Sequence, residues 1–225
     1  MNARAEVQLQ VIWNRFLAIV EEEAQSLMRT AFSSTVREAG DMCAGLFDAQ
    51  GRMVAQAVTG TPGHVNTMAA AVKHLLGRFP LASMAQGDQY ITNDPWLASG
   101  HLHDLTVIAP AFHDGRAVAL FGCCCHQVDI GGLGQGADGR SIYEEGLQIP
   151  PMKLVKAGEL NEDLLGIVCE NVRTPLGKFK ALVLEPRMEK TPPKGMFKKG
   201  STVHVWIALE DTRRLQEMLT REGQS

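Results

Sequence analysis

The sequence predicts an α+β fold, and three observations predict it. Val7, Val11, Phe16, Ile19, Val20, Leu27 and Met28 recur at helical spacing, with Trp13 and Leu17 broadening the stripe, so residues 5–31 read as one long helix. Two pairs of short apolar runs flank glycine-bearing polar turns, Asp48-Ala49-Gln50-Gly51-Arg52 and His113-Asp114-Gly115-Arg116, and read as β-hairpins. Amphipathic stretches over 66–76 and 162–170 supply further helices to pack on the sheet those hairpins build.

The elements follow in order. In the first helix Glu21 to Glu23 are expected as a solvated turn, and Ser33-Ser34-Thr35 suits a helix end or tight loop. The first hairpin pairs Met42–Phe47 with Met53–Val58, and Asp41 stands at its start. Thr61-Pro62-Gly63-His64 reads as a loop before the helix Asn66–Leu76, which places His64 near the positive end of that helix's dipole. His74, within the helix, reads as surface.

Gly87 to Thr92 is a turn and strand that ends at Asn93-Asp94-Pro95, because the residue before proline is held extended. The second hairpin pairs Leu105–Phe112 with Ala117–Cys125. Leu133 to Gly139 is a glycine-rich surface loop or lid, too irregular for a dinucleotide or phosphate fingerprint. Ile149 to Leu154 is a proline-locked extended segment. Asn171-Val172-Arg173-Thr174-Pro175 ends the last helix of this region.

Charge divides the chain. Residues 1–175 hold 12 Lys/Arg against 19 Asp/Glu, net −7, while residues 176–225 hold 10 against 6, net +4. Pro175 is therefore the expected boundary between the first region and a basic tail, in which Thr202–Leu209 reads as a strand and Glu210–Arg221 as a short helix. The overall net charge of −3 gives no reason to expect nucleic acid as a partner. The absence of a long apolar run or a signal pattern predicts no membrane and a cytoplasmic protein. Five cysteines, three of them consecutive at Cys123 to Cys125, read as small buried hydrophobes in a reducing compartment rather than a disulfide framework or a thiolate site.

The chemistry concentrates between Asn93 and Gly132. His101 to Asp104 and His126 to Asp129 are two His-x-x-Asp units at the open end of one hairpin, and four of the seven histidines lie between 101 and 126. Imidazole with carboxylate suits zinc, manganese or iron. Counting out from the Asp114-Gly115 turn places Asp104 opposite Cys125 and His103 opposite His126, with a bulge able to move both. Strict alternation favours a His101/His103 pair, whereas an irregular strand start at Ser99-Gly100 permits His101/Asp104, and spacing does not choose between them. His113 lies at the turn end and is excluded from the site.

Arg29-Thr30-Ala31, Asp41 before a short strand, Gly63-His64, Asn93-Asp94-Pro95, Gly100-His101-Leu102-His103-Asp104, His126 to Gly132, Glu145-Gly146-Leu147 through Ile149-Pro150-Pro151, and Asn171 to Pro175 occur in that order. In combination they resemble the B subunit of N-methylhydantoinase and the 5-oxoprolinase group, to which acetone carboxylase subunits are related. The resemblance implies a metal-bearing subunit of an ATP-dependent cyclic-amide hydrolase, in which metal-activated water attacks a phosphorylated substrate. It implies Asp41, His101, Asp104 and His126 as ligands of a divalent zinc, manganese or iron ion, Asp129 in support, and His64 and Glu145 near the substrate. It further implies a hydantoinase A-type partner that carries ATP and magnesium, a small cyclic amide as substrate, and a hetero-oligomer. Ala39-Gly40 and Ala98-Ser99-Gly100 depart from the arginines and the Gly-Gly-Thr usual in the family. Members are commonly more than twice this long, so a truncation after the amino-terminal part is expected. The alternatives are a subunit of a related ATP-dependent ketone carboxylase, or a truncated non-catalytic metal-binding or assembly module.

Overall fold

A computed structural model describes residues 3–31, 33–134 and 136–173. The expected boundary at Pro175, the strand Thr202–Leu209 and the helix Glu210–Arg221 lie outside these residues.

The apolar stripe at the amino terminus forms one unbroken helix, α1 (Ala3–Thr30). Only its second half meets the sheet: Ile19, Val20, Ala24 and Leu27 are buried, while Val7, Leu9, Val11 and Trp13 are exposed. Length explains the difference, since 28 residues of helix span about 42 Å and the seven-residue strand beneath it about 23 Å. Glu21 to Glu23 do not form the expected solvated turn. Glu23 is buried, and Glu21 accepts the backbone N–H groups of Val58 and Thr59 at 2.9 and 3.1 Å, pinning α1 to the loop that follows the first hairpin.

Ser33 caps a single helical turn, α2 (Ser34–Arg37), by accepting from Val36 N. Strands β1 (Met42–Asp48) and β2 (Met53–Gln56) form the first hairpin. Next, α3 (Pro62–Arg78) begins four residues before its apolar periodicity does, with Thr61 at the N-cap and Pro62 in the first turn. His64 is therefore in the first turn of a helix and not in a loop.

The strands β3 (Gln89–Thr92), β4 (Asp104–His113) and β5 (Arg116–His126) follow, then the single turn α4 (Ile142–Glu145). The extended segment after Pro150-Pro151 enters the sheet as β6 (Met152–Lys156) with β7 (Glu159–Leu160), and α5 (Glu162–Asn171) closes the described chain. No described helix is long and apolar enough to cross a membrane.

The seven strands make one sheet in the order β2-β1-β5-β4-β3-β6-β7, antiparallel throughout. Its middle strands are buried on both faces. On one face Leu46, Leu105, Val107 and Phe121 pack under α1 and α5; on the other Cys43, Phe47, Tyr90, Ile108, Leu120 and Cys124 pack under Met68, Val72 and Leu75 of α3. Cys123 and Cys125 thus face away from Cys124, as alternation requires.

Alpha-helix α3 settles close to the sheet because Gly45 and Gly122 are opposite one another on β1 and β5. A Cβ on Gly122 would lie 3.2 Å from a Phe47 ring carbon and 3.3 Å from the Met68 sulfur. At the far side, Asp88 joins β3 to β6 by accepting from Ala85 N, Ala157 N, Tyr90 Oη and Lys153 Nζ.

The β4–β5 register differs from the count by one residue. Phe112 pairs with Ala117, but a bulge between Ala111 and Phe112 shifts everything beyond it, so Asp104 pairs with His126 and Leu105 with Cys125.

Candidate metal centre

That shift decides the site. Cross-strand partners share a face, so Asp104 and His126 project together from the ends of β4 and β5 on the α3 side. β1 runs alongside β5 with Met42 opposite Cys125, and the backbone carbonyl of Asp41 accepts from His126 N at 3.1 Å, which brings Asp41 to the same edge. Thr61 donates from its hydroxyl to Asp41 Oδ1 at 2.9 Å and from its N–H to Met42 O at 2.8 Å, seating the start of α3 on the start of β1. The contact is so close that a Cβ on Gly60, with φ +139°, would lie 2.4 Å from Met42 O. This docking delivers His64 from the first turn of α3.

Asp104, fully buried, is the common point. Its Oδ2 lies 2.8 Å from His64 Nε2 and 3.0 Å from His101 Nε2, and its Oδ1 lies 3.0 Å from His126 Nδ1. Asp41 stands beyond, 3.6 Å from His64 Nε2 and 3.7 Å from His126 Nδ1. His101 reaches Asp104 because residues 101–103 form a turn and not the beginning of the strand, entered through Gly100 at φ +92°. The irregular alternative is therefore the one adopted.

The His101/His103 pairing is not. His103 is buried with its ring stacked on His126, centroids 5.5 Å apart, and neither ring nitrogen has a hydrogen-bond partner.

The electrostatics follow from this convergence. Burial works to raise the Asp104 pKa, but hydrogen bonds from His101, His126 and His64 outweigh it and hold the carboxyl far below the usual range. The bond to Asp104 raises His64 to about 9 and also raises His101. Burial lowers His103, with His126 and His101 adding to the effect, so its imidazole is neutral at pH 7.

These residues fit a metal ion on their own chemistry. Nδ1 of His64 and of His101 is buried without a hydrogen-bond partner, while both Nε2 atoms converge on Asp104 Oδ2. Lone pairs directed at a carboxylate oxygen are reconciled by protons or by a cation between them. His101, Asp104 and His126 place ligand atoms within 4.8 Å of one another. Imidazole and carboxylate together suit a divalent transition ion or zinc.

Other expected residues take different positions. Asp129 is buried but bonds away from this cluster, accepting from Gly131 N at 3.1 Å, Arg173 N at 2.8 Å and Arg173 Nη1 at 2.9 Å. It ties the loop after His126 to the end of α5. Glu145 ends α4, against the glycine loop, and takes no part in the hydrogen bonds and ion pairs of the cluster described above.

Asn93 is a residue whose importance spacing did not reveal. Fully buried, it donates to Leu102 O at 2.7 Å and Leu147 O at 2.9 Å and accepts from Ile149 N at 2.6 Å, holding the turn that carries His101 against the segment after α4. Its place immediately before the Asp-Pro step, within the Asn93-Asp94-Pro95 motif of the family resemblance, was the available signal.

Comparison with known proteins places this geometry in context. Residues 5–182 match the family described as Hydantoinase B/oxoprolinase. An uncharacterized protein of Methanocaldococcus jannaschii is 33% identical over 186 residues, covering 79% of this chain and 33% of its own. A 5-oxoprolinase of Dictyostelium discoideum is 33% identical over 170 residues, 74% of this chain and 13% of that protein. The caprolactamase subunit beta of Pseudomonas jessenii is 32% identical over 77% of this chain and 30% of its own. The crystal structure of that organism's ATP-dependent caprolactamase superposes with a TM-score of 0.79 at 28% identity, covering 99% of this chain and 35% of the other. The chain thus spans about a third or less of the length of these relatives.

Proposed function

The chain belongs to the Hydantoinase B/oxoprolinase family, and on that premise we propose that it is the metal-bearing part of an ATP-dependent cyclic-amide hydrolase. The observation that carries the reading is the convergence of Asp41, His64, His101, Asp104 and His126 from four separate elements on one buried point. A purely structural role would not need two carboxylates and three imidazoles there.

In this reading Asp41, His101, Asp104 and His126 hold one divalent ion of zinc, manganese or iron. Such an ion supplies Lewis acidity, bringing the ionisation of water from a pKa of about 16 to near 7. His64, 2.8 Å from Asp104, would take up the proton released by the attacking water and return it to the departing ring nitrogen, and a second water would release phosphate from the acyl phosphate that remains. Asp104 keeps the imidazoles oriented through both of its oxygens. Glu145 contributes from the loop side to holding the substrate, and Asp129 keeps that loop in place through Arg173.

ATP and magnesium belong to an A-type partner, which activates the amide oxygen by phosphorylation, so the active species is a hetero-oligomer. The subunit name of the Pseudomonas jessenii relative and the ATP dependence of its structure support that division of labour.

Two measurements test the proposal. Elemental analysis of the wild-type chain and of an Asp41→Ala/His101→Ala variant should show metal in the first and its loss in the second; equal content sinks the ligand set. ATP-dependent opening of hydantoin, 5-oxoproline or a simple lactam should then require the chain together with an A-type partner. Turnover of a ketone with bicarbonate instead would assign the chain to carboxylation.

A further inference from the structure

The cluster has a second side that the four proposed ligands leave unused. Cys124 lies on β5, one step from His126 on the same face, and pairs across the sheet with Thr106 of β4 and Cys43 of β1. It is almost fully buried beneath α3, and its sulfur sits 3.4 Å from Ser99 Oγ. The sulfur, a His64 ring nitrogen and an Asp104 carboxylate oxygen all lie within 4.8 Å of one another. Thr106 Oγ1, on the same face, is buried without a hydrogen-bond partner, as is His64 Nδ1. A thiol, an imidazole, a carboxylate and an unsatisfied hydroxyl thus gather where an apolar core would otherwise be expected.

We propose that His64, Asp104 and Cys124 form a second, thiolate-ligated metal site that shares Asp104 with the first. The proposal rests on the metal-bearing reading above for its neighbour, and it assigns His64 a ligand role in the doubly loaded state. Asp104 reaches residues of both groups, since Oδ1 faces His126 and Oδ2 faces His64 as well as His101. Carboxylate-bridged pairs of ions are an established arrangement for hydrolysis, with the ions about 3.5–4 Å apart.

Charge gives an independent argument. Asp41 and Asp104 neutralise one dication, but a second beside it needs another anion, and the Cys124 thiolate, next to His64 and Asp104, is placed to supply it. Coordination releases the thiol proton to solvent and forms a metal–sulfur bond, with no oxidant or reductant involved. A sulfur donor also narrows the choice of ion, since thiolate with imidazole favours zinc over manganese.

The test uses the full 225-residue chain, stripped of metal and titrated with cobalt(II) and separately with zinc. The expected result is two ions per chain and a thiolate-to-cobalt charge-transfer absorption. The absorption should persist in Cys43→Ser, vanish in Cys124→Ser, and be accompanied there by a fall to one ion. His64→Gln should lose the same ion, which covers the case in which Cys124→Ser fails to fold, and circular dichroism checks each variant.

A wild-type chain that binds one ion with no thiolate absorption overturns the second site. If that ion is lost in Asp41→Ala/His101→Ala, the metal-bearing reading itself stands. An absorption lost in Cys43→Ser and kept in Cys124→Ser also overturns the assignment. A cobalt–thiolate signal that depends on Cys124 and survives Asp41→Ala/His101→Ala with a fall to one ion supports both sites, whereas two ions retained in that variant refute the first ligand set. A chain that binds no ion overturns both.

Discussion

Asp104 carries more of the site than any other residue, because it is fully buried and meets three imidazoles. Replacing it with Asn keeps the shape but removes the charge that raises the pKa of His64 and of His101 in the metal-free chain. Metal affinity in Asp104→Asn should fall by more than the roughly 10–100-fold typical of a residue that only orients ligands. Calorimetric titration with zinc measures this.

The same pairing gives the metal-free protein a defined pH dependence. His64 has a folded pKa of about 9 against an ordinary 6.5, so its contribution to stability is complete below 6.5 and disappears as pH rises through 9. Asp104 has a folded pKa below its ordinary 3.8, so its contribution is present above that value and lost as pH falls below it. The melting temperature of the chelator-treated chain should therefore decline across the alkaline window, and His64→Gln should flatten that decline. An alkaline limb unchanged in the variant would exclude His64 as its source.

At this scale the sequence was legible in part. Two His-x-x-Asp units announced the place, but nothing in residues 101–126 points to Asp41; only the β1–β5 pairing, or the family resemblance, connects them. Thr106 and Cys124 read as ordinary strand residues because their meaning depends on which face α3 covers.

Among the elements, α3 has the most exacting fit, since the Gly45/Gly122 pair lets Met68 down onto the sheet. Gly122→Val should overpack this contact, costing about 1–3 kcal/mol in denaturant unfolding. Because His64 rides on the same helix, metal affinity should weaken in parallel. Asn93→Ala should be at least as damaging, since it strands the buried carbonyl of Leu102, the half-buried carbonyl of Leu147 and the buried N–H of Ile149. Each unsatisfied group costs about 1–3 kcal/mol, and an unfolding midpoint shifted by less than one such group would discount the clamp.

The helix periodicities and the hairpin turns were readable because they are local. The β4–β5 register was readable to within the single residue of the bulge at Ala111/Phe112, which leaves no mark in the pattern of apolar residues. β6 was legible only as the extended segment Ile149–Leu154, without its place in the sheet, because its partners lie more than 60 residues away in β3, and β7 was not read. The start of α3 was placed late because Pro62-Gly63 reads as a breaker, although proline is well suited to a first helical turn.

For the molecule as a whole, the α+β class followed directly from the order of elements, whereas the nesting of β1 between β2 and β5 did not. Bound metal should stabilise the folded chain by linkage, about 2.7 kcal/mol at an ion concentration 100 times its Kd. For a chain of 225 residues this corresponds to a rise of roughly 5–11 °C in melting temperature, at about 2–4 °C per kcal/mol. Differential scanning calorimetry with and without chelator checks it, and no rise would mean that the cluster does not bind the ion in its folded form.

The pairing of β1 with β5 joins residues 42–48 to residues 119–125 and skips α3 and the three strands β2, β3 and β4 between. In kinetic terms, Asp41 and His126 become neighbours only after a loop of more than seventy residues has closed, a step dominated by chain entropy. An ion held by both ends would then act as a removable clasp on a long-range contact of the fold. Its removal should show itself chiefly as faster unfolding, with the refolding rate little changed.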